Sequence, residues 1–238
     1  MYTSKLQKVV RISLPGEENP PQGSPEPRDW PMFFIIRQRD NIFLDPFRQR
    51  INWKIKNLNN IDWEKEMPIV VATLKSLTPS QIQIAKYWGT VEITERISTM
   101  TCDLADKHRL GSPDLARILG FLHASLNDAF VITWYFKYLW DVARPNQYGI
   151  NLSPVLSTPL FPSYPSAHAT VAGCTEVVLS YFFPEEVSEI QGKMEVSAQS
   201  RLYAGVHLKV DNDEGLDLGR QIGEVVVKVL RAQNVKLR

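Results

Sequence analysis

Cysteine is scarce in this sequence, with only Cys102 and Cys174 present. Two thiols without a CxxC pair give no disulfide framework, and they read as small buried hydrophobes. Net charge is nearly absent as well, at +1 over 238 residues. That excludes a broadly basic nucleic-acid surface, so any electrostatic function must come from a local cluster. Long apolar runs are missing. No stretch approaches the ~18 residues that span a bilayer, and the longest, near Phe130 to Trp140, is interrupted by Lys137 and followed by Asp141. The first residues, MYTSKLQKVVRISLPGEENPP, lack the apolar run of a secretory signal. The expectation is a soluble, cytoplasmic chain that does not span a membrane. Alternating β-branched runs between turns are lacking too, as are internal repeats.

What is present is helical punctuation. Hydrophobic residues make up 44% and charged residues 22%, enough for one large domain with a substantial core. Residues 1–60 begin rich in Pro, Gly and Glu, continue with aromatics mixed with charge, and read as an extended arm packed on a main body of residues 61–238. Thr78-Pro79-Ser80-Gln81 is a capping box with Pro in the first turn, predicting a helix that runs to about Lys107. Gly111-Ser112-Pro113-Asp114 repeats the signal, predicting a second long helix to about Val142. Further helices are predicted from Ala167 to before Pro184, over roughly 185–204, and over roughly 214–234. The predicted fold class is all-α, a single-domain helical bundle.

Three segments carry chemistry. In KYLWDVARP, Lys137 and Arg144 lie seven residues apart, two turns on one helix face, with Pro145 ending that helix. In FPSYPSAHAT, a proline-fixed loop delivers Ser166, Ala167 and His168 to a helix start, where unpaired N–H groups favour an anion. In SRLYAGVHLKVD, Asp211 follows His207 by four residues and can fix its tautomer, and Arg201 reaches the same pocket if the chain turns near Gly205. Each segment alone has a plainer explanation: solvated cations at a helix end, a Ser-capped helix, a surface His–Asp pair. Together they supply cations, a hydroxyl, a helix N-terminus and two histidines, the set that phosphoryl transfer requires. His123 reads instead as a satisfied core or interface histidine, and His108 as a helix-end cation. Asp213, Glu214 and Asp217 read as an acidic helix N-terminus rather than a metal site.

These motifs resemble the superfamily of type 2 phosphatidic acid phosphatases, bacterial acid phosphatases and vanadium-dependent haloperoxidases. Its signature is K-x6-RP, then PSGH, then SR-x5-H-x3-D. The matches are Lys137 with Arg144-Pro145; Pro165-Ser166-Ala167-His168, with Ala167 in place of glycine; and Ser200-Arg201 with His207 and Asp211. The resemblance implies His207 as nucleophile, or as the ligand of vanadium, with Asp211 orienting it and His168 as general acid and base. It implies that Lys137, Arg144, Arg201, Ser166 and the Ala167 N–H hold the oxyanion. Phe161, where some haloperoxidases carry an aromatic beside the cofactor, is a candidate for the pocket lining. The expected activity is a soluble phosphatase acting on a small phosphate monoester, which needs no cofactor and no metal. Alternatives are a vanadate-dependent haloperoxidase, whose vanadate would bind His207, and a non-catalytic oxyanion binder. The expected partner is a small phosphate ester or oxyanion, and a homodimer is left open.

Overall fold

The computed structural model describes residues 23–148 and 151–235. Seven α-helices carry the fold: α1 (Trp63–Lys75), α2 (Pro79–Gly89), α3 (Ile93–Lys107), α4 (Ser112–Trp140), α5 (Ala167–Phe182), α6 (Val187–Tyr203) and α7 (Lys209–Ala232). The all-α class holds, with one addition. Three two-residue strands, β1 (Ile36–Arg37), β2 (Phe43–Leu44) and β3 (Arg50–Ile51), form a small antiparallel sheet in the order β1-β2-β3. They are too short to show an alternating pattern.

Thr78 closes the expected capping box, its side chain taking the Gln81 N–H while Gln81 reaches back to the Thr78 N–H. The helix expected to run on to Lys107 is broken. Glu92 is extended, so α2 ends before it and α3 starts afresh. At the start of α4 the N-cap position falls on Gly111, and Ser112 is already helical. The expected end of α4 at Arg144-Pro145 also shifts. Asp141 adopts a left-handed conformation (φ 47°, ψ 49°) and stops the helix at Trp140. Lys137 is therefore helical and Arg144 is not, so the two do not share a helix face. Helix α7 begins at Lys209, about five residues earlier than the acidic cluster suggested.

The segment Ser112–Tyr148 is long and apolar enough to cross a membrane, which corrects the expectation that no stretch approaches that limit. In the bundle it is a core element. Ile118, Leu122, Leu126 and Ile132 are fully buried against residues of α5 and α7 such as Val178 and Ile222. Its other side is covered by the arm, part of which (residues 1–22) lies outside the described residues. Buried Asp128 accepts the backbone N–H groups of Phe33, Phe34 and Ile35 at 2.7, 2.8 and 3.1 Å, which seats the arm on α4. Both cysteines are free, and burial pushes the Cys174 thiol up to about 12.

The pairing of α5 with α7 positions the site, and glycine makes it possible. A Cβ at Gly219 would sit 2.0 Å from the Thr170 carbonyl oxygen, so the two backbones touch only because no side chain intervenes. Gly219→Ala is expected to cost about 2 kcal/mol, or about 4–8 °C in Tm, since the helices must part. Gly120→Ala on α4, where a Cβ meets nothing within 4 Å, is expected to be neutral or to stabilise by about 0.5–1 kcal/mol. Thermal unfolding of the two variants side by side measures the difference.

Candidate active site

A cavity of about 340 Å³ opens where the N-terminus of α5, the end of α6 and the α6–α7 turn meet. Its inner end is lined by Ala167, His168, Arg201 and His207. The α6–α7 turn depends on Gly205, whose φ of +74° carries the chain from Arg201 round to His207.

His207 is buried, and both ring nitrogens are engaged. Its Nδ1 lies 2.9 Å from Asp211 Oδ2, and its Nε2 lies 2.8 Å from Arg144 Nη1. A guanidinium can only donate, so Nε2 must be the unprotonated nitrogen and Nδ1 carries the proton to Asp211. Two partners on opposite sides thus impose one tautomer, with its lone pair at Nε2. Burial, followed by Arg144 and Lys137, holds the His207 imidazole well below its ordinary value and keeps it neutral.

Asp211 Oδ2 also accepts from Ser163 Oγ at 2.5 Å and from the Leu208 N–H at 3.0 Å. Burial pushes this carboxyl up to about 6 against those hydrogen bonds, so it is ionised at neutral pH. Ser163 is fully buried, and sequence reading missed it. It stands outside the recognisable motifs, and a serine in a Pro-rich loop gives no separate signal.

The three cations divide. Lys137 Nζ donates to the carbonyls of Pro162 and Ser163 at 2.6 and 2.7 Å. Arg144 donates to Phe161 O and Val206 O at 3.0 and 2.8 Å. Both lie behind the wall and tie its loop to the bundle, and burial with Arg144 alongside lowers the Lys137 ammonium well below its usual range. Arg201 faces the cavity. Its Nε and Nη1 are buried with no hydrogen-bond partner among the described residues, and burial alone lowers it to about 10, so it stays charged. Gly89 makes room for it, since a Cβ there would lie 2.8 Å from Arg201 Nη1.

Ser166 caps α5. Its hydroxyl accepts the Ala169 N–H at a long 3.4 Å, and its own N–H goes to the Asp211 carbonyl at 2.8 Å, which locks α5 to α7. Ala167 and His168 occupy the first turn, whose amides have no intrahelical acceptor. His168 Nε2 lies 2.9 Å from Ser197 Oγ, and its ring meets Trp88 edge-on at 6.2 Å. Burial, then Arg201, lowers its ionisation well below the ordinary value. Phe161 lines the cavity and lies over both Lys137 and Arg144, at 5.2 and 4.9 Å from its centroid.

The remaining candidates lie elsewhere. His123 is solvent-exposed and meets Ser98 Oγ at 3.0 Å. His108 meets Glu186 Oε1 at 2.9 Å, a specific partner rather than a general helix-end effect. Asp213 pairs with Lys209, Glu214 with Lys56 and Asp217 with Arg220, beyond the first turn of α7. No metal-holding group of three or more His, Cys, Asp or Glu occurs among the described residues.

Fold and site together define a helical bundle in which His207 and an arginine with two unpartnered N–H atoms line one cavity. The fold is that of the superfamily of vanadium haloperoxidases and type 2 phosphatidic acid phosphatases, the one its motifs resemble. The model of the vanadium chloroperoxidase second helical-bundle domain matches residues 186–235. A bacterial vanadium-dependent iodoperoxidase is similar at 21% identity and TM-score 0.64, covering 84% of this chain and 60% of its own. A bacterial vanadium-dependent chloroperoxidase in its apo form is similar at 15% identity and TM-score 0.69, covering 87% and 56%. A transmembrane PAP2-type phosphatidylglycerolphosphate phosphatase from Bacillus subtilis is similar at 17% identity and TM-score 0.55, covering 74% and 89%. The chain thus spans little more than half the length of the haloperoxidases it resembles. No curated protein sequence matches it.

Proposed function

We propose that this chain is a phosphatase that hydrolyses a phosphate monoester through a phosphohistidine intermediate. The observation that supports it best is the forced tautomer of His207, whose Nε2 lone pair shares a cavity with unpartnered Arg201 and with His168. A binder of anions has no use for a neutral nucleophile; donors alone would serve it.

In the first step the phosphoryl group displaces the Arg144 N–H from Nε2. The Nε2 lone pair forms the N–P bond as the P–O ester bond breaks, and His168 gives its proton to the departing oxygen. Arg201 and the Ala167 amide hold the spreading charge, joined by the Ser166 hydroxyl and by Arg144 and Lys137 as these two turn from their carbonyl partners toward it. Asp211 steadies the cationic phosphoimidazole through Nδ1–H. In the second step His168 takes a proton from water, water oxygen attacks phosphorus, and the N–P bond breaks to restore the lone pair. Residues 61–238 are the catalytic bundle in this reading, with the preceding segment as its outer support.

Vanadate, a second candidate occupant, has the same charge and shape requirements. The orphaned Arg201 N–H groups and the Nε2 lone pair fit it as well. His207 would ligate it and Lys137, Arg144, Arg201, Ser166 and Ala167 N–H would hold its oxygens. Bound there, vanadium would supply Lewis acidity toward peroxide. The likeness to two haloperoxidases at TM-scores of 0.64 and 0.69 is what keeps this reading in view.

Phosphate release from p-nitrophenyl phosphate tests the proposal, with vanadate expected to inhibit competitively. No release, together with halide oxidation that requires added vanadate and peroxide, would replace it with the haloperoxidase reading. Neither activity, with vanadate still bound, would leave an oxyanion binder.

A further inference from the structure

The inner end of the cavity accounts for the phosphoryl group, while its outer half has a different chemistry. Phe130 and Trp134 of α4 face inward beside Phe161, with Trp134–Phe161 centroids 4.9 Å apart and Phe130–Trp134 centroids 5.9 Å apart. Trp88, at the end of α2, also lines the cavity and meets His168 edge-on. Aromatic rings recognise flat apolar groups through area and edge-to-face contact.

This wall is held in place before any ligand arrives. Trp134 Nε1 donates to Ser24 O at 3.1 Å, and the Gly23 N–H donates to Leu160 O at 2.8 Å, next to Phe161. Tyr138 donates to the Gly23 carbonyl. The arm therefore pins both rings, so little ordering cost falls on a ligand that stacks there.

Charge sharpens the reading. Among the described residues of the lining, Arg201 is the only Arg or Lys, and the phosphoryl group requires it. The one carboxylate is Glu92, exposed in the α2–α3 turn. Among these described residues a second phosphate or a carboxylate on the substrate would find no further cation and would meet Glu92 instead.

We propose that the outer half of the cavity is a leaving-group site for an uncharged or cationic aromatic alcohol, so that the substrates are aryl or arylmethyl monophosphates. Trp134 and Phe161 select the ring, and Glu92 rejects a second negative charge. The proposal rests on the phosphatase reading for its chemistry, although ring binding can be measured without turnover.

Benzyl and ethyl phosphate both release simple primary alkoxides, so comparing them separates ring recognition from leaving-group reactivity. The expected kcat/KM is about tenfold or more in favour of benzyl phosphate, the scale of a buried aromatic contact. Trp134→Leu, which stays apolar but removes the ring, should cut that ratio severalfold. 4-Carboxybenzyl phosphate should be poorer than benzyl phosphate, and Glu92→Gln, a surface change, should narrow that gap about threefold at low salt. Calorimetry with phenylphosphonate and methylphosphonate, which cannot be hydrolysed as esters, should show the same preference for the ring in binding. Ester hydrolysis with equal kcat/KM for benzyl and ethyl phosphate would overturn the leaving-group site and leave the phosphatase reading standing. Tighter phenylphosphonate binding without hydrolysis of any ester would overturn the phosphatase reading and support the aromatic site alone. No hydrolysis and no preference for the ring would overturn both.

Discussion

His207→Ala is expected to reduce phosphate-monoester turnover by about 10⁴-fold or more, because it removes the lone pair that attacks phosphorus. Some acceleration of direct water attack should persist, since Arg201 and the first turn of α5 are untouched. Asp211→Asn should be far milder, at about 10- to 100-fold. Elsewhere such a change is costly because it lets the histidine adopt the wrong tautomer. Here Arg144 imposes the same tautomer from the other side by donating to Nε2. An asparagine oxygen in place of Oδ2 can still accept from His207, Ser163 and Leu208. Rapid-quench trapping of phosphoprotein, stable to base and labile to acid, would show the intermediate in the wild type and in Asp211→Asn but not in His207→Ala. Equal loss in the two variants would mean that the charge of Asp211, and not a hydrogen bond that Asn can keep, carries the step.

The second large effect depends on the substrate. His168→Ala is expected to lower kcat/KM for ethyl phosphate by about 10³-fold, the range of general acid catalysis. For p-nitrophenyl phosphate the loss should be tenfold or less, because that leaving group departs without a proton. The same variant should show a burst of p-nitrophenol followed by slow turnover, since water must then attack the phosphohistidine without its base. The pH profile carries a matching sign. Burial and Arg201 depress His168, so its protonated form belongs to the acid side of its ordinary value. Wild-type kcat/KM for ethyl phosphate should therefore fall as pH rises through neutrality, by up to tenfold per unit, and His168→Ala should flatten that limb. A profile unchanged by the mutation would assign the titration to another group.

Much of the site was legible because its three motifs carry fixed internal spacings. Lys137 with Arg144, Ser166 with His168, and Arg201 with His207 and Asp211 are each set by a few residues of chain, and capping signals marked where α2, α4 and α5 begin. The misreadings have a common origin in backbone conformation at non-glycine residues. The left-handed Asp141 and the extended Glu92 each interrupt a helix that periodicity alone would continue. The first moved Lys137 and Arg144 off a shared face; the second made a turn that lines the cavity together with Phe161.

The sequence by itself determined the helical class and the motif residues of the candidate site with their chemical types, because local periodicity and motif spacing are properties of short stretches. Tertiary structure alone decided which cation meets the pocket. Arg201 Nε and Nη1 have no hydrogen-bond partner among the described residues, whereas Lys137 and Arg144 find the 161–163 loop. It also decided that His207 is locked from both sides, that Ser163 stands behind Asp211, and that an arm more than a hundred residues away pins the aromatic wall. Each of these is a contact between segments remote in the chain, fixed by the close approach of α5 and α7 and by the seating of the arm on Asp128, and no local pattern encodes it.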